Sequence, residues 1–245
     1  MSAISSQLAQ AVTPPIAPSP KSVSRTTFVG ERRSVQVPGW VRDLASFRRW
    51  VHSGEYPEKV RICYLAGEIW MDLSMEDFFP HNQLKNEFAF VLTGITKSER
   101  SGRFVPDGML ITNVTADLSC EPDGMFVSHK SWDAGRVRLV EGNEGKQIEL
   151  EGTPDMALQI VSDSSTTKDR ETLRELFWQA GIPEYWLVDA RGDRLEFEIL
   201  RRTAKGYVAV RKQGGWVKSK VFGKHFRLSR TLDERGDPEY TLEVK

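Results

Sequence analysis

The sequence predicts an α+β fold with an α/β core, in which residues 155–188 form a parallel β-α-β unit. Residues 156–161 are a short apolar run, a helical periodicity follows, and residues 184–188 form a second apolar run. Two strands that are joined by a helix lie parallel with a right-handed crossover. Several later segments alternate apolar and charged residues instead. That alternation is typical of additional antiparallel strands with one solvent-exposed face.

The helix of this unit has clear start and stop signals. Ser165 or Thr166 can cap it, and Asp169 in its first turn would complement the backbone dipoles. Gly181 ends it. Its apolar residues recur at a spacing of three and four, which predicts a face packed on a sheet. These residues are Leu173, Leu176, Phe177 and Ala180.

Polar residues gather at this unit. Residues two apart on a strand share a face, so Asp155 and Gln159 point the same way from a strand that is otherwise apolar. The turn at residues 162–169 adds more side-chain oxygens and one ammonium group at the strand's end. Proteins with parallel sheets keep their sites at that edge. We therefore expect the functional site there.

The rest of the chain divides into a tail and one domain. Residues 1–36 contain four prolines among Ser, Ala and Thr without periodicity, which predicts a disordered tail. Residues 37–245 are long enough for one sizeable core and predict a single domain. Helices are predicted at residues 43–52 and 77–96 and a hairpin at 60–73. Strands are predicted at residues 109–113, 123–127, 194–200, 207–210, 216–222 and 240–244, with an edge hairpin at 136–151.

Composition restricts the partners and the compartment. The formal net charge is +0 and the isoelectric point is near 6.9, so a nucleic acid would have to be held by a local basic patch. Cys63 and Cys120 form no CxxC pair, which fits a reducing cytoplasm and predicts no zinc site. No apolar run reaches the length of a membrane span. We therefore expect a cytoplasmic protein without a membrane partner.

Three acids and one amide are candidate metal ligands. Asp123 and Asp155 each follow a proline, where an ordinary turn is the simpler interpretation. Asp169 and Gln159 also have structural explanations when each is taken alone. Taken together, these four residues indicate an oxygen-rich pocket of the kind that Mg²⁺ prefers. Such an ion polarises a phosphoryl oxygen and lowers the pKa of an attacking water molecule. Walker, GxGxxG, HExxH and GxSxG motifs are absent from the sequence.

Several motifs in combination resemble one known family. The sequence contains LAGEI in the predicted hairpin, His81, EPD, TPDMALQIVSDSS, AGIPEYWLVD and GGWVKSKVFGKHFRL. This set resembles the restriction endonucleases often labelled Uma, within the PD-(D/E)XK nuclease superfamily. The resemblance implies a restriction-endonuclease-like mixed sheet flanked by helices and a Mg²⁺- or Mn²⁺-dependent hydrolysis of DNA. By analogy it also implies a homodimer.

The resemblance assigns site residues, but two of three expected groups differ. Asp123 stands at the metal-binding Asp, Gln159 at the position of a Glu, and Leu173 at the position of a helical Lys. Gln159 can ligate a metal but supplies no negative charge, and Leu173 cannot stabilise an anion. Lys168 is the expected substitute cation. Arg170 is the alternative, although an arginine stabilises charge without acting as a base.

Two functions follow from this pattern. The first is a metal-dependent DNA endonuclease in which Asp123, Asp155 and Gln159 hold Mg²⁺ or Mn²⁺ and Asp123, Gln159 and Lys168 are catalytic. The second is a catalytically inactive relative that keeps the nuclease fold as a binding or assembly module. The replacement of Glu by Gln159 and of Lys by Leu173 motivates this second function.

Overall fold

The computed structural model describes residues 25–29, 34–57, 60–72, 76–142 and 145–245. This part of the chain contains four α-helices, two six-stranded mixed sheets, a three-stranded sheet and an N-terminal hairpin. The helices are α1 (Leu44–Val51), α2 (Leu84–Glu99), α3 (His129–Asp133) and α4 (Leu173–Gln179). Two π-helical turns, Phe78–Gln83 and Lys168–Thr172, lead into α2 and α4.

The strands are numbered in chain order. The first nine are β1 (Arg25–Val29), β2 (Ser34–Pro38), β3 (Arg61–Leu65), β4 (Glu68–Asp72), β5 (Gly102–Pro106), β6 (Leu110–Asn113), β7 (Leu118–Cys120), β8 (Gly124–Ser128) and β9 (Val137–Glu141). The others are β10 (Gln147–Gly152), β11 (Met156–Ile160), β12 (Glu184–Asp189), β13 (Glu196–Thr203), β14 (Gly206–Ala209), β15 (Val217–Lys218), β16 (His225–Leu232) and β17 (Pro238–Val244).

Each of the six-stranded sheets contains a single parallel pair. The first sheet has the order β4-β3-β7-β6-β10-β9, and only β10 and β6 run parallel. The second has the order β14-β13-β12-β11-β8-β5, and only β11 and β12 run parallel. The C-terminal sheet, β15-β16-β17, is antiparallel. The predicted α+β class with a mixed sheet is therefore confirmed.

The β-α-β unit at the centre of the second sheet is confirmed in detail. Ala157 of β11 packs into a core cluster with Leu173 and Phe177 of α4, whereas Met156 and Leu158 enter a different cluster on the other face. This separation follows from the two-residue period of a strand. Gly181 ends the helical region with φ +79°, a conformation that a side chain would strain.

Three core clusters fix the layers. The first lies between the two six-stranded sheets and includes α4. The second fills the space between the second sheet, α2 and the C-terminal sheet, and Trp186 at its centre is fully buried. The third packs α1 and β2 on the outer face of the first sheet. The two six-stranded sheets thus face each other across the first core cluster.

The structure departs from the sequence predictions in several places. The N-terminal tail is shorter than predicted, since residues 25–29 pair with 34–38 and Val37 is buried; residues 1–24 lie outside the described residues. Four elements were not predicted: β5, β7, β16 and α3. The predicted strand over residues 216–222 is mostly a loop. The helix predicted from residue 77 begins with a π-helical turn. No helix in the described part of the chain is both long and apolar enough to cross a bilayer.

The burial of Leu173 leads to a stability prediction. Replacing Leu173, which is 0% exposed, by Ala should lower the free energy of unfolding by about 3 kcal/mol, because the side chain would leave a cavity between the sheets. Urea unfolding followed by circular dichroism measures this. Glu171→Ala on the exposed side of the same helical segment is the control and should change stability by less than about 0.5 kcal/mol. Similar losses in both variants would contradict the packing described.

Candidate active site

Asp123 and Gln159 meet at the end of β11. In the pairing of β8 with β11, Gly124 lies opposite Leu158. One further step in the same register places Asp123 opposite Gln159. Directly opposite residues of an antiparallel pair point to the same face, with Cβ atoms about 4.5–5.5 Å apart. Both side chains are buried, Asp123 at 3% exposure and Gln159 at 2%. The structure therefore brings these two predicted site residues together.

The Asp123 carboxylate connects four elements of the fold. Its Oδ2 accepts a hydrogen bond of 2.7 Å from the backbone N–H of Ile160. Its Oδ1 accepts one of 3.1 Å from Nη1 of Arg61, on β3 of the opposite sheet. Nε2 of His81 lies 3.7 Å from the same Oδ1 and 3.1 Å from the carbonyl oxygen of Ile160. A guanidinium thus balances the charge of this buried carboxylate.

Arg61 also contacts a group of acids at the rim of the site. It forms ion pairs with Glu76 at 2.8 Å and with Asp107. Although burial opposes the change, hydrogen bonding with Glu121 and the charge of Arg61 lower the pKa of Asp107 to about 2. Burial, together with the same hydrogen bond, raises the pKa of Glu121 to about 8. The Asp107 and Glu121 carboxyl groups therefore share one proton at neutral pH.

The charge of Asp123 affects the pKa of Lys168. Its Nζ is 3.4 Å from Oδ1 of Asp169. Burial alone would lower the pKa of Lys168, but the charges of Asp169, Cys63 and Asp123 raise it above its usual value. The side chain therefore remains an ammonium group at neutral pH. It can stabilise a developing negative charge, but it cannot accept a proton.

Asp169 is the titratable partner of this ammonium group. Burial raises its pKa to about 6, against the opposing effects of Lys168 and of a hydrogen bond donated by Ser165. Its Oδ1 is buried and accepts no hydrogen bond. Asp169 therefore changes protonation near neutral pH, next to a cation that does not.

The other two positions of the helical segment do not join the site. Arg170 binds Asp189 at 2.7 Å and Glu196 at 2.8 Å, which commits its guanidinium to the ends of β12 and β13. Leu173 is part of the core between the sheets. Of the two substitute cations that the sequence suggested, only Lys168 is near enough to Asp123 for the charge of Asp123 to raise its pKa.

Asp155 lies at the opposite end of β11. Its Oδ2 accepts a 2.7 Å hydrogen bond from the backbone N–H of Ser128, and its Oδ1 accepts one of 2.8 Å from Oγ of Ser131. Four residues of extended chain, about 13 Å, separate position 155 from position 159. The structure therefore does not bring Asp155 to Asp123, and its carboxylate instead holds the start of α3.

Sequence reasoning missed four neighbours of Asp123 and Lys168: Arg61, His81, Cys63 and Cys120. His81, which the sequence analysis names only as part of the motif set, is 5% exposed, and its Nε2 lies 3.1 Å from the carbonyl oxygen of Ile160 on β11. Cys63 lies one step beyond the pair Tyr64 and Ser119, which places it opposite Cys120. A hydrogen bond with Cys120 lowers the pKa of the Cys63 thiol to about 7. Only cross-strand register could have identified this pair, and the sequence does not show register.

Two openings flank the site. A cleft of about 20 Å³, lined by Cys63, Ser165 and Lys168 together with Arg61 and Glu121, has room for about one water molecule. A larger groove of about 780 Å³ shares Arg61 and Glu121 with this cleft. Arg61 therefore stands between the buried Asp123 and the wider groove.

Comparison with known proteins identifies the family. Residues 44–230 match the profile of Uma2, described as "Putative restriction endonuclease". The chain belongs to the Uma2 family. This membership confirms the resemblance that the sequence motifs indicated, and it supports a nuclease-like function for the chain.

The fold agrees with the Uma2 assignment. The chain is similar to a crystal structure described as a putative nuclease belonging to DUF820 from Anabaena variabilis. The two chains are 21% identical, with a TM-score of 0.54, and the match covers 74% of this chain and 90% of the other. No curated protein matches the chain.

The Uma2 site contains few ligands for a divalent ion. In the described ranges, no three His, Cys, Asp or Glu side chains group in a way that could hold a metal ion. Gln159, however, has a buried Nε2 without a hydrogen-bond partner. Amide nitrogen and oxygen are distinguished only by their hydrogen bonds, so the oxygen can occupy this place. Asp123 and Gln159 therefore fit an ion that keeps most of its water ligands, as Mg²⁺ often does.

The raised pKa of Asp169 predicts a pH dependence of stability. Because its folded pKa, about 6, exceeds the unfolded value of 3.8, the contribution of Asp169 to stability is present in full below about pH 3.8 and is lost as the pH rises through about 6. Asp169→Asn does not titrate. Its stability relative to wild type should rise by about 2 kcal/mol between pH 4 and pH 7.

Urea unfolding at a series of pH values measures this difference. Glu171→Gln, an exposed carboxylate of the same helical segment, is the matched control and should follow the wild-type curve. A constant stability difference between Asp169→Asn and wild type across this range would show that Asp169 ionises normally.

Proposed function

We propose that this Uma2-family protein is a Mg²⁺- or Mn²⁺-dependent DNA endonuclease with a weakened metal site. Asp123 and Gln159 would hold the ion, and Lys168 would be the cation that stabilises charge at the scissile phosphate. One observation carries the proposal: Asp123 and Gln159 lie opposite each other across β8 and β11, with Lys168 in electrostatic contact with Asp123. A homodimer that cuts both strands is part of the proposal by analogy alone.

The residues divide the chemistry between them. A bound divalent ion would supply Lewis-acid polarisation of a phosphoryl oxygen and would lower the pKa of an attacking water molecule. Ile160 donates its N–H to Asp123 and so fixes the carboxylate. Lys168 stays protonated and favours the negative charge that develops on the phosphate. Asp169, with a pKa of about 6, is suited to receive a proton near neutral pH.

Because Gln159 stands in place of a glutamate, the site should bind a divalent ion with low affinity. With Gln159 in place of a carboxylate, the pair carries a single negative charge, and Arg61 already balances that charge at 3.1 Å. Ion affinity depends on the number of charged ligands. We therefore expect slow turnover that needs a high metal concentration, and a preference for Mn²⁺, which binds nitrogen and oxygen sites more tightly than the harder Mg²⁺.

Plasmid nicking tests the proposal. The protein should nick supercoiled DNA when Mg²⁺ or Mn²⁺ is present, and Asp123→Asn should reduce the rate at least about 100-fold, because it removes the remaining charged ligand. Lys168→Met should reduce it about tenfold or more. The control is Lys130→Met, which removes an exposed charge on α3. Nicking that survives Asp123→Asn would refute the assignment of the site.

A second function is favoured by the contacts of Asp123. Arg61 and His81 approach its free oxygen from two sides. With these two neighbours, the Asp123 carboxylate can have a purely structural role in which no metal ion is bound. A protein of this kind would be a binding or assembly module that has lost turnover. Under this alternative, no divalent ion binds in a manner that depends on Asp123.

Titration calorimetry with Mn²⁺ separates the two functions. Gln159→Glu should tighten binding about tenfold or more, because it restores a second charged ligand opposite Asp123. Gln147→Glu, which adds the same charge at an exposed position, should leave the affinity unchanged. Saturable binding that disappears in Asp123→Asn supports the endonuclease. No binding in wild type, with binding regained in Gln159→Glu, supports the inactive module.

A further inference from the structure

Charge is unevenly distributed along the chain. Between Glu198 and Asp233 the sequence has ten Lys and Arg residues and no Asp or Glu. The whole chain has 34 of each charge type, so the rest of it carries an excess of ten acids. A neutral protein thus contains one strongly basic segment. This segment forms β14, β15, β16 and most of β13.

The basic segment encloses a groove. The groove has a volume of about 470 Å³ and lies between the edge strand β14 and the loop that leads to β15. Four cationic or titratable side chains line it, and no carboxylate does: Arg201, Arg211, Lys218 and His225. Trp216 forms part of its wall, and Arg227 and Lys245 pack on that ring at 4.8 and 4.1 Å.

The cations of this groove differ from those of the candidate active site. Arg61 and Lys168 are both paired with carboxylates. Within the described ranges, Arg201, Arg211 and Lys218 form no ion pair, and Nε of Arg201 is buried without a hydrogen-bond partner. Nη2 of Arg201 donates a 3.3 Å hydrogen bond to the carbonyl oxygen of Lys218. A cation without a carboxylate partner nevertheless remains available to an external anion.

We propose that this groove binds the phosphodiester backbone of DNA. A concave channel lined by cations fits a strand of phosphates, whereas a flat membrane surface would need a flat or convex basic face. The choice of DNA deepens the proposed function and rests on it, but the binding needs neither metal nor turnover. Phosphate contacts of this kind supply affinity and position without reading the base sequence.

The groove is separate from the candidate active site. Arg201 of β13 lies opposite Glu184, the first residue of β12, whereas Asp189 ends that strand at the edge where the site lies. Five residues of extended strand, about 17 Å, separate the two ends of β12. DNA held in the groove would therefore extend past the edge of the sheet to reach Asp123.

Fluorescence anisotropy with a labelled duplex of about 20 base pairs, in EDTA, tests the proposal on the full chain. Arg211→Glu with Lys218→Glu should weaken binding at least about tenfold and lower the slope of log K against log salt by about 2. The matched control is Lys97→Glu with Lys130→Glu, which makes the same charge change at exposed residues of α2 and α3. It should weaken binding less than about threefold.

The outcomes are decisive in either direction. Equal losses in the two double variants would show that only net charge matters and would overturn the proposal. So would the absence of wild-type binding at about 50 mM salt, where phosphate contacts are strong, or binding of phosphatidylserine vesicles in place of DNA. Asp123→Asn should bind DNA like wild type. Loss of nicking in that variant, with intact groove-dependent binding, would separate failure of the proposed catalysis from failure of this inference.

Discussion

The buried carboxylate of Asp123 connects the two six-stranded sheets at the candidate site. It lies just before β8, accepts the N–H of Ile160 in the second sheet and pairs with Arg61 in the first. At 3% exposure, this carboxylate lies out of reach of most solvent, and the two partners take the place of water around it. Removal of the Arg61 guanidinium would leave the buried Asp123 charge without its ionic partner, which typically costs several kcal/mol. The same contact thus holds the sheets together and sets the chemistry of the site.

This contact also limits what a metal ion can do. A divalent cation at Asp123 must share the carboxylate with Arg61, whose guanidinium also binds Asp107 and Glu76. The acids at the rim keep Arg61 in place, so the ion gains less from Asp123 than it would from a free carboxylate. The loss of a charged group at Gln159 and the presence of Arg61 act in the same direction. Both reduce the attraction of the site for cations.

The sequence predicted the parts of the site that depend on local pattern. Alternation along β11 predicted that Gln159 shares a face of the strand with Asp155, and the family resemblance assigned Gln159 and Asp123 to one site. The strand register places Gln159 opposite Asp123. The same alternation misled at Asp155, because a shared face does not mean a shared end, and the two positions lie about 13 Å apart. Proline followed by aspartate occurs before both β8 and β11, yet only one of these carboxylates reaches the site.

What the sequence could not supply were contacts between distant strands. Arg61 meets Asp123 only because the first sheet folds over the second, and Cys63 meets Cys120 only through the register of β3 with β7. Neither partner follows a periodic pattern or a motif. The basic segment after Glu198 is different, because it is visible in the sequence as a run without acids. The structure adds that Arg201, Arg211 and Lys218 of this segment line one groove that no carboxylate lines.

Lys168 places a cation at the candidate site although Leu173 stands where the family resemblance implies a lysine. Leu173, at the place of the expected lysine, is 0% exposed between the sheets. An ammonium group there would have to be buried among apolar side chains, which is costly without a partner. Lys168 is five residues earlier and enters the site from the π-helical turn, where Asp169 pairs with it. The wider turn carries the cation to the polar edge of the sheet and leaves the apolar face of α4 intact. Packing and charge are therefore provided by different residues of one helical segment: Leu173 fills the core between the sheets, and Lys168 places a cation at the candidate site.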